Sequence, residues 1–114
     1  MAETLAYPVV DDTLLAEVVR RFLVVGSPRK IVLFGSQARG DARDDSDLDI
    51  LIIEETGRPG WESSPRYYGA LAGFHRETDV IVASPAEVED WSEVSNYLLT
   101  TALREGRVLY EDLR

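Results

Sequence analysis

The chain has 114 residues, a net charge of −9 and no cysteine. That length bounds it to one domain spanning 1–114, with room for three or four strands and covering helices. The acidity argues against a direct nucleic-acid binder, which needs a basic surface. The missing thiols exclude disulfides, thiolate metal sites and a cysteine nucleophile, and they fit a reducing cytoplasm.

In chain order, residues 1–10 read as a loose lead-in broken at Pro8. Asp11 and Asp12 can cap a helix near 12–25, whose Leu14, Leu15, Val18, Val19, Phe22 and Leu23 recur at helical spacing. Gly26-Ser27-Pro28 ends it. Arg29 to Phe34 reads as a strand, apolar at both parities and therefore central in a sheet. Gly35 to Ala42 is a turn that opens a short helix, and Asp44-Asp45-Ser46 is a polar link. Asp47 to Ile53 is a second strand, paired with the first because the connection is short.

Glu54 to Pro65 is a long loop whose Trp61 is expected to pack on the domain edge. Arg66 to His75 reads as a helix with Tyr67, Leu71 and Phe74 on one face. Glu77 to Ala83 is a third strand, in which Asp79 precedes an apolar run as Asp47 does. Ser84-Pro85-Ala86-Glu87 is a capping box opening a helix to about Asp90 or Trp91. A further helix near 95–105 stops at Gly106, and Arg107 to Glu111 forms a short strand or an extended tail. No apolar run approaches the roughly 20 residues of a membrane span, and no signal peptide is visible.

The chemistry concentrates between Phe34 and Ile50. Asp47 and Asp49 are two apart on a strand, so both side chains leave one face. Two such carboxylates repel, and a cation between them keeps both ionised. Hard divalent ions take such oxygens, Mg²⁺ typically with substrate phosphates as further ligands. Gly35-Ser36 lies where a strand gives way to a helical turn. There the backbone can approach a ligand, and exposed N–H groups attract phosphate. A phosphate cradle joined to a metal-binding carboxylate pair suggests nucleotidyl transfer.

Gly35-Ser36, ten residues, then Asp47-Leu48-Asp49 resembles the Gly-Ser-x10-Asp-x-Asp signature of the polymerase-beta-like nucleotidyltransferases. The fuller string Phe34-Gly35-Ser36-Gln37-Ala38-Arg39-Gly40-Asp41, continued by Ser46-Asp47-Leu48-Asp49, is similar to the minimal nucleotidyltransferase (MNT) branch. The resemblance spans roughly Val18 to Tyr110. It implies a small α/β fold with a central mixed sheet flanked by helices. It also implies transfer of AMP from ATP to a hydroxyl with release of pyrophosphate.

By the same resemblance Asp47 and Asp49 hold two Mg²⁺ ions, for which Mn²⁺ can substitute. Asp79 supplies the third carboxylate, with Glu77, of the same parity, as the less favoured choice. Gly35 and Ser36 hold the β- and γ-phosphates. Arg39 either holds phosphate or pairs with the acidic loop, and Gln37 and Gly40 serve geometry. His75 reads as a surface histidine rather than a base. Tyr67, Tyr68, Tyr97 and Tyr110 read as packing residues rather than nucleobase platforms.

The implied partner is a HEPN-type ribonuclease toxin, adenylylated on a tyrosine, so that a hetero- or homo-oligomer is expected. An acidic antitoxin suits a basic partner. Two other classes stay open: an antitoxin that neutralises by occlusion without catalysis, and a homodimeric small-molecule nucleotidyltransferase.

Overall fold

The apolar runs assemble into a four-stranded sheet in a computed structural model, which describes residues 10–43, 46–93 and 102–113. The elements in chain order are α1 (Asp12–Val25), β1 (Lys30–Phe34), α2 (Ser36–Arg39), β2 (Leu48–Ile53), a 3-10 turn at Gly60–Ser63, α3 (Ser64–Ala70), β3 (Thr78–Ala83), α4 (Pro85–Glu93) and β4 (Arg107–Glu111). Their order across the sheet is β3-β2-β1-β4. β1 is antiparallel to both β2 and β4, and β2 is parallel to β3. A parallel pair needs a crossover, which the 3-10 turn and α3 supply here. β1 and β2 take the two central places, as their two-sided apolar character requires: Ile31–Phe34 and every β2 residue but Asp49 are buried.

Each face of the sheet carries its own core. On one, Leu15, Val18 and Phe22 of α1 and Tyr67 of α3 pack on Ile31, Leu33, Ile50, Ile52, Val80 and Val82. On the other, Val32, Phe34, Leu51, Ile53 and Ala83 meet Ala102, with Val88 and Leu103 beside them. Each fully buried aliphatic side chain of this kind contributes about 1.5–3 kcal/mol.

Side chains close the element ends. Asp11 Oδ1 accepts from the Leu14 N–H at 2.9 Å, the cap expected for α1. The capping box of α4 is complete: Ser84 Oγ accepts from the Glu87 N–H at 3.1 Å, and Glu87 Oε1 accepts from the Ser84 N–H at 2.9 Å. Glu87 Oε1 also accepts from the Gly60 N–H at 2.9 Å, fixing the 3-10 turn against the end of β3. Only glycine fits at position 60, because a Cβ would meet the Val82 carbonyl and the Ala83 backbone. Arg21 of α1 reaches the Ala70 and Ala72 carbonyls at 3.2 and 2.9 Å, placing a cation where α3 presents its free carbonyls.

Several boundaries differ from the sequence reading. The helix expected over 66–75 runs from Ser64 to Ala70. Pro65 fits its first turn, where no N–H is needed. Past Ala70 the chain turns, with Gly73 at a φ of 78°, so Phe74 reaches the core from a turn. α4 continues to Glu93, beyond the expected Asp90 or Trp91. Trp61 does not pack on the domain edge; it is 69% exposed. The lead-in at 1–9 and most of the helix expected at 95–105, with Tyr97, lie outside the described residues, of which 102–105 are helical. No helix among the described residues is long and apolar enough to cross a membrane.

Candidate active site

The strand directions bring the motif residues together. β1 ends where β2 and β3 begin, so Gly35, Asp49 and Asp79 share one end of the sheet. Asp49 stands opposite Phe34 on one side and opposite Asp79 on the other. The two-residue alternation of strands puts Asp49 and Asp79 on the face carrying Leu51, Ile53 and Ala83. Asp79 is exposed and Asp49 half-buried. Asp47 lies just outside β2, which starts one residue later than the sequence suggested. The Leu48 N–H donates to the Glu77 carbonyl at 3.0 Å and sets that boundary.

Gly35 adopts φ 73°, ψ −156°, a region that costs other residues about 1–3 kcal/mol. Space demands glycine too: a Cβ there would run into the Asp49 carboxylate. The backbone of the turn therefore lies against the Asp49 carboxylate. Ser36 begins α2 and is half-buried. Arg39 ends α2 and pairs with Asp41 at 3.3 Å, the acidic-loop alternative of the two given for it. Of the tyrosines, Tyr67 is core, edge-on to Phe22 with ring centroids 5.3 Å apart. Tyr68 bonds both backbone groups of Val80 through its hydroxyl, and Tyr110 packs beside the α1 core. His75 is exposed.

The Asp49 carboxyl is pushed above its usual range, first by burial, then by the charges of Asp79 and Asp47, while Arg39 acts the other way. Among the described residues, no three acidic, histidine or cysteine side chains stand close enough to form a ready-made cation site. The donor chemistry nevertheless fits a hard divalent ion: oxygen ligands only, one of them held near a second and third carboxylate.

A pH dependence follows. Because Asp49 ionises later in the folded chain than in the unfolded one, the folded form keeps the extra proton between about pH 4 and the raised value. Its contribution to stability is present below that window and lost as pH rises through it. Metal-free protein should lose urea midpoint over that range. Asp49→Asn should flatten this part of the profile; an identical slope in the variant would assign it to other groups.

Sequence reasoning missed Arg76. It is 6% exposed and donates to the Ser46 carbonyl at 2.6 Å, next to Asp47. Nothing in a side-chain pattern marks a bond to a backbone carbonyl.

The site is thus a mixed sheet with carboxylates at the starts of two parallel strands, faced by a glycine turn. Residues 19–114 match the family described as Polymerase beta, Nucleotidyltransferase, and the chain belongs to that family. A 28-residue stretch is 61% identical to a Methanocaldococcus jannaschii protein described as "Putative protein adenylyltransferase". It covers 25% of this chain and 28% of that relative. Among solved structures, a toxin–antitoxin complex with AMP-PNP aligns at a TM-score of 0.63 and 15% identity, over 87% of this chain and 74% of its own. A structure of tri-AMPylated Shewanella oneidensis HEPN toxin with MNT antitoxin aligns at 0.56 and 13% identity, over 88% and 71%. At those identities the likeness is one of fold.

Proposed function

We propose that this chain is an MNT-type antitoxin that transfers AMP from ATP to a hydroxyl of a cognate HEPN toxin, a tyrosine for preference. The observation that carries the reading is the pairing of Asp49 with Asp79, with the Gly35 turn against the Asp49 carboxylate. The toxin–antitoxin structures of the same fold and the adenylyltransferase relative support the choice of acceptor and nucleotide. ATP and toxin would meet in the cytoplasm.

In the reaction, the hydroxyl oxygen bonds to the α-phosphorus as the bond from that phosphorus to the bridging oxygen breaks. The hydroxyl proton is lost and pyrophosphate leaves. Asp47, Asp49 and Asp79 would hold the two divalent cations, Mg²⁺ or Mn²⁺. When bound, these ions activate the attacking oxygen and neutralise charge on the leaving group. Gly35 and Ser36 hold the β- and γ-phosphates, so the chain's main work is positioning.

The direct test is incubation with labelled ATP, Mg²⁺ and the candidate toxin, followed by intact mass of both proteins. Toxin heavier by whole AMP units is the expected result. Toxin that is neutralised without a mass change favours a second reading, an occluding partner.

The phosphate role of Ser36 has its own test. Ser36→Ala should raise the KM for ATP or lower turnover by about tenfold, the scale of one lost hydrogen bond to a charged group. The melting temperature should hold, since Ser36 opens a helix of only four residues and is half-buried. A loss of folding with unaltered nucleotide affinity would make Ser36 a structural residue only.

A further inference from the structure

The residue just before Asp47 is held through its carbonyl oxygen and its side chain. The Ser46 carbonyl oxygen accepts from Gln37 Nε2 at 3.1 Å and from Arg76 Nη2 at 2.6 Å. A carbonyl oxygen has two lone pairs, and here each faces a donor. The shorter bond is charge-assisted and correspondingly strong. The Ser46 side chain adds a third restraint, its Oγ accepting from the Arg43 N–H at 2.8 Å.

The donors come from different parts of the fold. Gln37 lies on α2, one residue past Ser36. Arg76 lies on the approach to β3, three residues before Asp79. The acceptor belongs to the residue that precedes Asp47. One carbonyl therefore joins the three segments that carry the glycine turn, the first carboxylate pair and the third carboxylate. Arg76 is 6% exposed, and burying a cation costs several kcal/mol unless its partners are well placed.

We propose that Gln37 and Arg76 are positioning residues: together they clamp the Ser46 carbonyl and so set Asp47 relative to Asp49, Asp79 and the Gly35–Ser36 turn. This inference rests on the nucleotidyl-transfer reading for its consequences, but the clamp itself is a property of the fold.

The experiment uses the full chain in four forms: wild type, Gln37→Met, Arg76→Met and Arg76→Lys. Arg21→Met serves as a control, because Arg21 also donates to two backbone carbonyls, those of Ala70 and Ala72. The first readout is the Mg²⁺ concentration that half-saturates the thermal shift in the presence of a non-hydrolysable ATP analogue. Residues that orient ligands without touching the metal typically cost 10–100-fold in metal affinity or activity when replaced. Gln37→Met and Arg76→Met should therefore raise the half-saturating Mg²⁺ by about tenfold or more. Arg76→Lys, which keeps a charged donor, should recover part of it. Arg21→Met should lower the melting temperature and leave the metal dependence as in wild type.

The second readout needs no ligand. The Asp47 amide shares its peptide unit with the clamped carbonyl, so its nitrogen resonance should move in Gln37→Met and in Arg76→Lys. The Asp49 and Asp79 amide resonances should move with it. If wild type shows neither metal response nor AMP transfer while these resonances do move, the functional reading fails and the clamp stands. Folded variants with wild-type Asp47, Asp49 and Asp79 resonances overturn the clamp, whatever their activity. So does an Arg21→Met control that shifts the metal dependence as much as the clamp variants do.

Discussion

Asp47→Asn/Asp49→Asn should abolish AMP transfer and leave the domain folded. Asparagine keeps the shape of aspartate and removes the charge that would hold a cation. The loss of transition-state stabilisation should reach at least about 4 kcal/mol, or roughly a thousandfold in rate. Folding should survive because Asp49 carries a burial and repulsion penalty in the metal-free protein. Removing its charge relieves that penalty, so the melting temperature without metal should hold or rise. Toxin treated with wild type and ATP should stay inactive and heavier after separation. Toxin separated from the variant should recover. Equal neutralisation by both proteins, with no mass change in either case, would defeat the enzyme reading and leave an occluding antitoxin.

Gly35→Ala should damage both stability and activity. The backbone there costs a residue with a Cβ about 1–3 kcal/mol, and the new methyl would also meet the Asp49 carboxylate. Either the turn moves away or Asp49 does, and each displacement would separate the proposed phosphate cradle from a proposed metal ligand. We expect a melting temperature lower by several degrees and transfer reduced by at least about a hundredfold, the scale on which ångström misplacements act. Gly57→Ala supplies the comparison. Gly57 also has a positive φ, 75°, but open space around it. It should lose less stability than Gly35→Ala and keep full activity. If the two variants lose equal activity, the overlap with Asp49 carries no functional weight.

Local signals in the chain told the part of the fold that depends on local physics. Ile31–Phe34 and Leu48–Ile53 are apolar at both parities, and this placed β1 and β2 at the centre of the sheet. Ser84 and Glu87 announced their own capping box. Gly35, Ser36, Asp47 and Asp49 were legible because they lie within fifteen residues of one another. Asp79 was not legible in that way. Its neighbour in space, Asp49, is thirty residues earlier, and only the parallel register joins them. Family resemblance, not spacing, supplied it.

Helical spacing misled at Phe74, because Tyr67, Leu71 and Phe74 reach the same core whether the last of them sits on a helix or on the turn that follows. Trp61 shows a related limit: a lone aromatic in a loop does not say what, if anything, it lies against. Arg76 was invisible because its target is a backbone carbonyl, a group that every residue carries.

The pairing of β2 with β3 has a consequence for how the two strands find each other. Both are rich in interchangeable aliphatics, Leu-Asp-Ile-Leu-Ile-Ile against Thr-Asp-Val-Ile-Val-Ala. A slip of one residue would swap valine for isoleucine on either face at little cost. It would also turn Asp79 toward Phe22 and Tyr67, in the apolar layer under α1 and α3. An unpaired carboxylate buried there costs several kcal/mol, whether it stays charged or takes up a proton. The aspartates thus act as alignment marks during folding: in strands that aliphatic packing alone would leave free to slide, they penalise every odd-numbered misalignment.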